Sequence, residues 1–236
     1  MTSSLAAESL DHARFAVVDV ETTGGRALNG GRILEVAVAI LEGGTIQLAF
    51  EALLDPGAAI PPWVARLTGI TDGMVAGRPR FGDVAASLGR ALDAAVFVAH
   101  NARFDWRFLA AECVAVGAPA PSGTPLCTVR LTRRLVPELR HRGLDHVAAF
   151  FGIDNPARHR AFGDALATAR VLRALLERAR ERGVETLEQL VELHDRPRHK
   201  KVRSAGFGMR SVTPGVGERT TSLFNSALRT PHSALE

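Results

Sequence analysis

Periodicity begins at Phe15. Phe15–Val20 is a short Val-rich run with little polar relief, the pattern of a strand buried on both faces. Arg32–Ala39 and Thr45–Leu54 follow as two further strands, and Gly43-Gly44 between them suits a tight hairpin, where glycine supplies the positive φ angles. Pro61-Pro62 opens a short helical segment, since proline is tolerated in a first helical turn. Phe81–Leu92 carries apolar residues at helical spacing, Val96–Ala99 reads as a fourth strand, and a helix is expected from Phe104 to Val116. Pro125–Val129 suits a short fifth strand, with helices over Arg130–Leu135 and Leu144–Phe151. Asp164–Arg182 is the clearest helix, because Ala165, Leu166, Ala169, Leu172 and Leu176 share one face. A last helix, Glu185–His194, ends the periodic part. Strands that come first in a hairpin and then alternate with helices predict an α/β domain: a mixed sheet with an antiparallel edge, flanked by helices.

Composition divides the 236 residues into three parts. Residues 1–13 read as a polar leader without the basic-then-apolar layout of a secretory signal. Residues 14–194 form the domain. From residue 195 to 236 Gly, Pro, Ser, Thr and Arg dominate, with 8 Lys+Arg against 3 Asp+Glu, so the net charge of +4 resides in this tail. A segment so poor in large apolar residues cannot offset its ordering entropy, and disorder is expected there. Hydrophobic residues make up 46% of the chain, enough for a real core, yet no apolar run approaches the roughly 18 residues of a membrane span. Cys113 and Cys127 lack metal-site spacing and read as free thiols of a reducing compartment, which makes a cytoplasmic location the expectation.

Three short segments set acids beside apolar sequence, where a charge is costly unless something compensates it. They are Phe15-Ala-Val-Val-Asp-Val-Glu-Thr-Thr-Gly24, His100-Asn-Ala-Arg-Phe-Asp105 and His159-Arg-Ala-Phe-Gly-Asp164. Asp19 and Glu21 are two apart on a strand, so both point to one face, where two adjacent carboxylates raise each other's pKa. Asp105 and Asp164 each fall in the first turn of a predicted helix. Hard divalent cations such as Mg²⁺ select carboxylate oxygens and keep such a cluster ionised. The imidazole of His159 is suited to take a proton from an attacking water. A positioned base contributes typically ~10²–10⁴-fold, too little for phosphodiester hydrolysis, whereas a pair of divalent ions supplies the remaining stabilisation.

Taken together, and in this order, the three segments resemble the motifs of the DEDD-type 3′→5′ exonucleases. The histidine five residues before the last aspartate is that of the histidine branch, which includes the proofreading epsilon subunits of bacterial DNA polymerase III; the similarity runs from about Arg14 to Arg182. The resemblance implies a ribonuclease-H-like fold and release of nucleoside monophosphates from single-stranded DNA 3′ ends. By the same resemblance Asp19, Glu21 and Asp164 would hold one of two divalent ions, Mg²⁺ or Mn²⁺. Asp19 would bridge to the second, Asp105 would contribute there, and His159 would be the general base. Thr22 and Thr23 would contact the terminal nucleotide, Leu67-Thr68-Gly69-Ile70 would wedge against its base, and His100, Asn101 and Phe104 would line the pocket. Cys127-Thr128 stands where many relatives carry Asp-Thr, a departure that touches packing and no metal ligand.

Two other readings stand beside this one: an RNA-trimming exonuclease of the same superfamily, and a non-catalytic module that only binds a polymerase or nucleic acid. The chain has no tyrosine, which speaks against the tyrosine-bearing oligoribonuclease type, and all five catalytic positions are present, which speaks against the module. Arg130, Arg133, Arg134, Arg140 and Arg142 read either as a solvated helix face or as a phosphate track. Trp63 and Trp106 sit among apolar neighbours and are expected in the core rather than stacked on bases. In the tail, Arg196–Arg203 would add salt-sensitive phosphate attraction. Ser222-Leu-Phe224 resembles the end of the sliding-clamp-binding pentapeptide, with Thr220 where its leading glutamine stands, and would make a polymerase or clamp a partner.

Overall fold

The computed structural model describes residues 8–197. In chain order these form β1 (Phe15–Thr22), a 3₁₀ turn (Ala27–Asn29), β2 (Ile33–Glu42), β3 (Thr45–Leu53), α1 (Pro62–Thr68), α2 (Asp72–Val75) and α3 (Phe81–Leu92). There follow β4 (Val96–Ala99), α4 (Arg103–Ala115), β5 (Leu126–Cys127), α5 (Thr128–Leu135), α6 (Leu144–Phe150), α7 (Ala161–Arg180) and α8 (Leu187–Asp195). The strands make one sheet in the order β3-β2-β1-β4-β5, antiparallel across β3-β2-β1 and parallel across β1-β4-β5. This is the ribonuclease-H-like mixed sheet that the resemblance implies. No helix of the described residues is long and apolar enough to cross a membrane.

The hairpin between β2 and β3 turns at Gly43 and Gly44 with φ of 55° and 77°, angles at which a side chain would be strained. Its register pairs Glu42 with Thr45. Both sheet faces are covered. Phe15 and Val17 of β1 face a core with Val171, Leu172, Leu175 and Leu176 of α7 and Leu131 and Leu135 of α5. Ala16, Val18 and Val20, pointing the other way, meet Phe81 and Leu88 of α3 and Phe108 and Leu109 of α4. Continuous apolar sequence in β1 is thus the mark of a strand with helices on either side.

Some elements differ from the sequence pattern. The 3₁₀ turn and α2 are too short to display a helical repeat. β5 is only two residues long, because the β-branched pair Thr128-Val129 already starts α5. Residues 8–13, set apart as a leader, close against the domain: Ser9 bridges Thr186, Leu10 N–H donates to the Glu185 carbonyl at 2.9 Å, and Leu10 is buried. One buried leucine in a polar segment carries no periodic signal. The basic tail and its Leu223-Phe224 pair lie outside the described residues.

Candidate active site

The carboxyl ends of β1 and β4 lie together, and the three motifs meet there. β1 projects Asp19 and Glu21 toward α7, since both share a face with Phe15 and Val17. Opposite Asp19 in the register is Ala37 of β2, and Ala37 packs on Ala161 and Ala165 in the first turns of α7. Three small side chains at one contact let the helix approach the sheet closely. As a result Asp19, Glu21 and Asp164 each offer an oxygen, all within 4.8 Å of one another.

Asp105 arrives from the other side. β1 continues past its last pairing with β4 (Val17 with Val98), and the Val20 N–H beyond it donates to Asp105 Oδ1 at 3.2 Å. Asp105 is buried, and burial, opposed by hydrogen bonds from backbone N–H groups and aided by Glu21, pushes its pKa up to about 8. Burial likewise raises Glu21 to about 7, with Asp164 and Glu35 adding to the rise and Arg160 opposing it. Asp19 is pushed well above the usual carboxylate range by burial and then by Asp105, Asp164 and Glu21. Asp164 rises less freely, because Asn155 Nδ2 donates to its Oδ1 at 2.5 Å and the His159 backbone N–H to its Oδ2 at 3.1 Å. Four acids crowded at one point, all held toward the neutral form, fit a group that brings positive charge. Their oxygen-only donor set fits a hard divalent ion.

His159 lies next to Asp164 in a left-handed conformation, φ 57°, and Asn101 shares that region at 70°. Non-glycine residues hold such angles at a cost of about 1–3 kcal/mol where surrounding structure imposes them, a feature concentrated at functional sites. The other residues expected around a nucleotide divide in two. Leu67 is 49% exposed, and Phe104 lies partly buried against Phe108, ring centroids 4.9 Å apart. By contrast the threonine hydroxyls are engaged internally: Thr22 donates to the Gly24 carbonyl (2.7 Å), Thr23 accepts from Arg32 N–H (2.9 Å), and Thr68 donates to the Val64 carbonyl (3.0 Å). Both His100 nitrogens are also taken, Nε2 by the Arg142 carbonyl at 2.9 Å and Nδ1 by Thr128 Oγ1 at 2.8 Å. A carbonyl only accepts, so Nε2 carries the proton, and Thr128 of the Cys-Thr departure serves to hold this ring.

Two further expectations change. Trp106 packs edge-on against Phe97, centroids 5.0 Å apart, as a core residue should. Trp63 does not: α1 buries Val64 and Thr68 and turns Trp63 outward, 52% exposed, one turn before Leu67. Apolar sequence neighbours misled because a helix distributes them around its circumference. Of the arginine stretch, Arg130 pairs with Asp195 at 3.2 Å and Arg134 donates to the Arg196 carbonyl, tying α5 to the end of α8, while Arg133 and Arg140 remain exposed.

Sequence reasoning missed two buried glutamates. Glu112, on the same face of α4 as Asp105, takes Arg32 through two bonds (2.8 and 2.9 Å) and the Ile33 N–H at 3.1 Å. Glu35, paired with Glu21 across the strands, takes Arg160 and the Ala161 N–H. An acid inside the apolar run Ile33–Leu41 was the available signal for Glu35. Asn155, nine residues before its partner, had none.

The model of the exonuclease family matches residues 16–172, most of the chain and the acids and histidines of all three motif segments. This chain belongs to that exonuclease family. Among its relatives this exonuclease is 36% identical to the DNA polymerase III subunit epsilon of Treponema pallidum over 157 residues, covering 66% of this chain and 73% of that one. With the 3′-5′ exonuclease DinG of Bacillus subtilis it shares 35% identity over 156 residues, 66% of this chain but 17% of that protein, so it spans about a sixth of that longer relative. The solved structure of exonuclease X in complex with 5′ overhanging duplex DNA is 28% identical, with a TM-score of 0.60 over 77% of this exonuclease and 99% of that chain. Escherichia coli exonuclease I with a dT13 oligonucleotide, 17% identical at a TM-score of 0.63 over 73% of this chain and 43% of that one, shares the fold.

Proposed function

We propose that this exonuclease is a two-metal, histidine-assisted enzyme that removes nucleoside monophosphates one at a time from single-stranded DNA 3′ ends. The observation that carries this reading is the convergence of Asp19, Glu21 and Asp164 within 4.8 Å, with buried Asp105 behind them. Asp19, Glu21 and Asp164 would hold one divalent ion, Mg²⁺ or Mn²⁺, and Asp19 and Asp105 would hold the second. Divalent ions bound there would supply Lewis-acid polarisation of the scissile phosphate and offset the charge developing in hydrolysis. His159 takes the proton from the attacking water, a role its strained backbone beside Asp164 supports. Leu67 lies against the terminal base, and Phe104 with Asn101 lines the pocket that receives it. With their hydroxyls tied to the backbone, Thr22, Thr23 and Thr68 shape the turns around the nucleotide, and His100 braces the loop at Arg142.

The epsilon subunit relative supports a place beside a DNA polymerase; the task proposed for this exonuclease there is proofreading, in the cytoplasm. The deciding experiment is digestion of matched 5′-labelled DNA and RNA oligomers with Mg²⁺, Mn²⁺ or EDTA. Stepwise shortening of the DNA from its 3′ end in either metal, and none in EDTA, is the expected result. Faster shortening of the RNA would assign the enzyme to RNA trimming instead, and full activity in EDTA would end the metal reading.

A further inference from the structure

Glu35 is a fifth carboxylate at the edge of the site, and it faces away from the role of a ligand. Its oxygens are already occupied: Arg160 Nε lies 3.2 and 3.0 Å from the two of them, Arg160 Nη2 2.5 Å from Oε1, and the Ala161 N–H 2.8 Å from Oε2. The carboxylate thus serves three donors in the two residues that start α7, and it does so from the middle strand of the antiparallel edge. Arg160 lies between His159 and Ala161, and Ala161 is one turn before Asp164. Glu35 itself is fixed in register opposite Glu21. One ion pair therefore joins the strand pair that carries Asp19 and Glu21 to the segment that carries His159 and Asp164.

Stability alone does not explain such a pair. Glu35 is buried while the Arg160 side chain keeps 38% of its surface exposed. The carboxylate thus loses hydration while water still screens its attraction to the guanidinium, and apolar side chains of similar volume often serve stability as well or better. What an arginine fork adds is orientation, because two parallel bonds to one carboxylate fix the plane and direction of both groups. Orientation matters here, since His159, the residue before Arg160, is held at a positive φ that a non-glycine residue keeps only where surrounding structure imposes it.

We propose that Glu35 and Arg160 are positioning residues for hydrolysis: their ion pair sets His159 and Asp164 against Asp19 and Glu21 at the distance a divalent ion requires. This rests on the roles given above to those four residues. Glu35 and Arg160 touch neither substrate nor metal, and they act through the first turn of α7.

The test uses three full-length variants. Arg160→Met alone strands a buried carboxylate and can unfold the protein, so the informative variant is the double Glu35→Gln/Arg160→Met. It removes both charges, keeps the volumes, and leaves an amide oxygen at position 35 to accept the Ala161 N–H. This variant is expected to melt close to the parent temperature while kcat falls by about 10–100-fold, the size typical of groups that orient metal ligands. KM for a short oligomer should change little, and Mn²⁺ affinity measured by calorimetry without nucleic acid should weaken by a similar factor. Arg160→Lys, which keeps the charge but loses the fork, should lie between the two. A folded double variant with parent kcat and parent Mn²⁺ affinity overturns the proposal. Asp19→Ala, titrated alongside, separates this from a failure of the metal assignment: unchanged Mn²⁺ affinity there removes both, whereas lost affinity there and parent affinity in the double variant removes the positioning pair alone.

Discussion

Asp105 and Glu21 carry the pH behaviour of the molecule, because their folded pKa values, about 8 and about 7, stand far above the ordinary carboxylate range. Without divalent metal the folded chain therefore retains protons that the unfolded chain releases between about pH 4 and about pH 8. Stability should be greatest at the acid end of that window and fall as pH rises through it. Melting in EDTA from about pH 5 to about pH 8 checks this, with Asp105→Asn expected to flatten the slope; a melting temperature that rises with pH would refute it. Divalent metal reverses the trend by favouring the ionised acids, so Asp19→Ala, Glu21→Ala or Asp164→Ala should nearly abolish hydrolysis and yet melt no lower than the parent in EDTA. His159→Ala makes a different prediction, a loss on the order of 10²–10⁴ in kcat with little change in metal affinity and an altered acid limb of the pH–rate profile.

At the scale of elements, helix α7 reaches the sheet through alanines. Ala37, Ala161 and Ala165 are all fully buried, so Ala165→Leu must push the helix away from β2 and carry Asp164 with it. Overpacking of this kind costs about 1–3 kcal/mol, and the larger consequence should be lost activity at temperatures where circular dichroism still shows a folded protein. Retained activity would mean that the acids tolerate a displaced α7. Helix α1 offers the opposite case, an outward face on which Trp63 and Leu67 follow one another by one turn. α1 rests on Leu34 of β2 through Val64, with Ile70 just beyond the helix in the same cluster, next to the strand end where Thr22 pairs with Ile33. Stacking of a base on Trp63 should quench the fluorescence of that exposed indole, while Trp106, packed on Phe97, should be unresponsive. Single-stranded oligomers titrated into Trp63→Phe should then give no quenching, and KM should rise severalfold; quenching that persists would place the contact at Trp106.

At the scale of the whole molecule, residues 8–197 contain every element that the proposed chemistry uses. A chain ending at Pro197 should hydrolyse short oligomers with the parent kcat. Its binding to longer single strands should depend less steeply on salt, since the basic cluster Arg196–Arg203 is largely removed. A large drop in kcat on truncation would assign the tail a part in the reaction itself.

Strand β1, helix α7 and the three motif segments were legible in the chain because each is a local pattern: period, spacing, and acids set in apolar runs. Asp19, Glu21, Asp105, Asp164 and His159 follow from such patterns; the structure brings the four acids to the carboxyl ends of β1 and β4 and sets the His159 backbone N–H on Asp164. Glu35, Glu112, Arg32, Arg160 and Asn155 were not legible, since their partners come from other elements and the pairing exists only once register and helix approach are set. Trp63 shows the same limit from the other side: its neighbours in sequence are apolar, but exposure is a property of the face on which α1 packs. Local spacing thus names the acids, and long-range packing decides what holds them, how far they are raised, and which surfaces remain for a substrate.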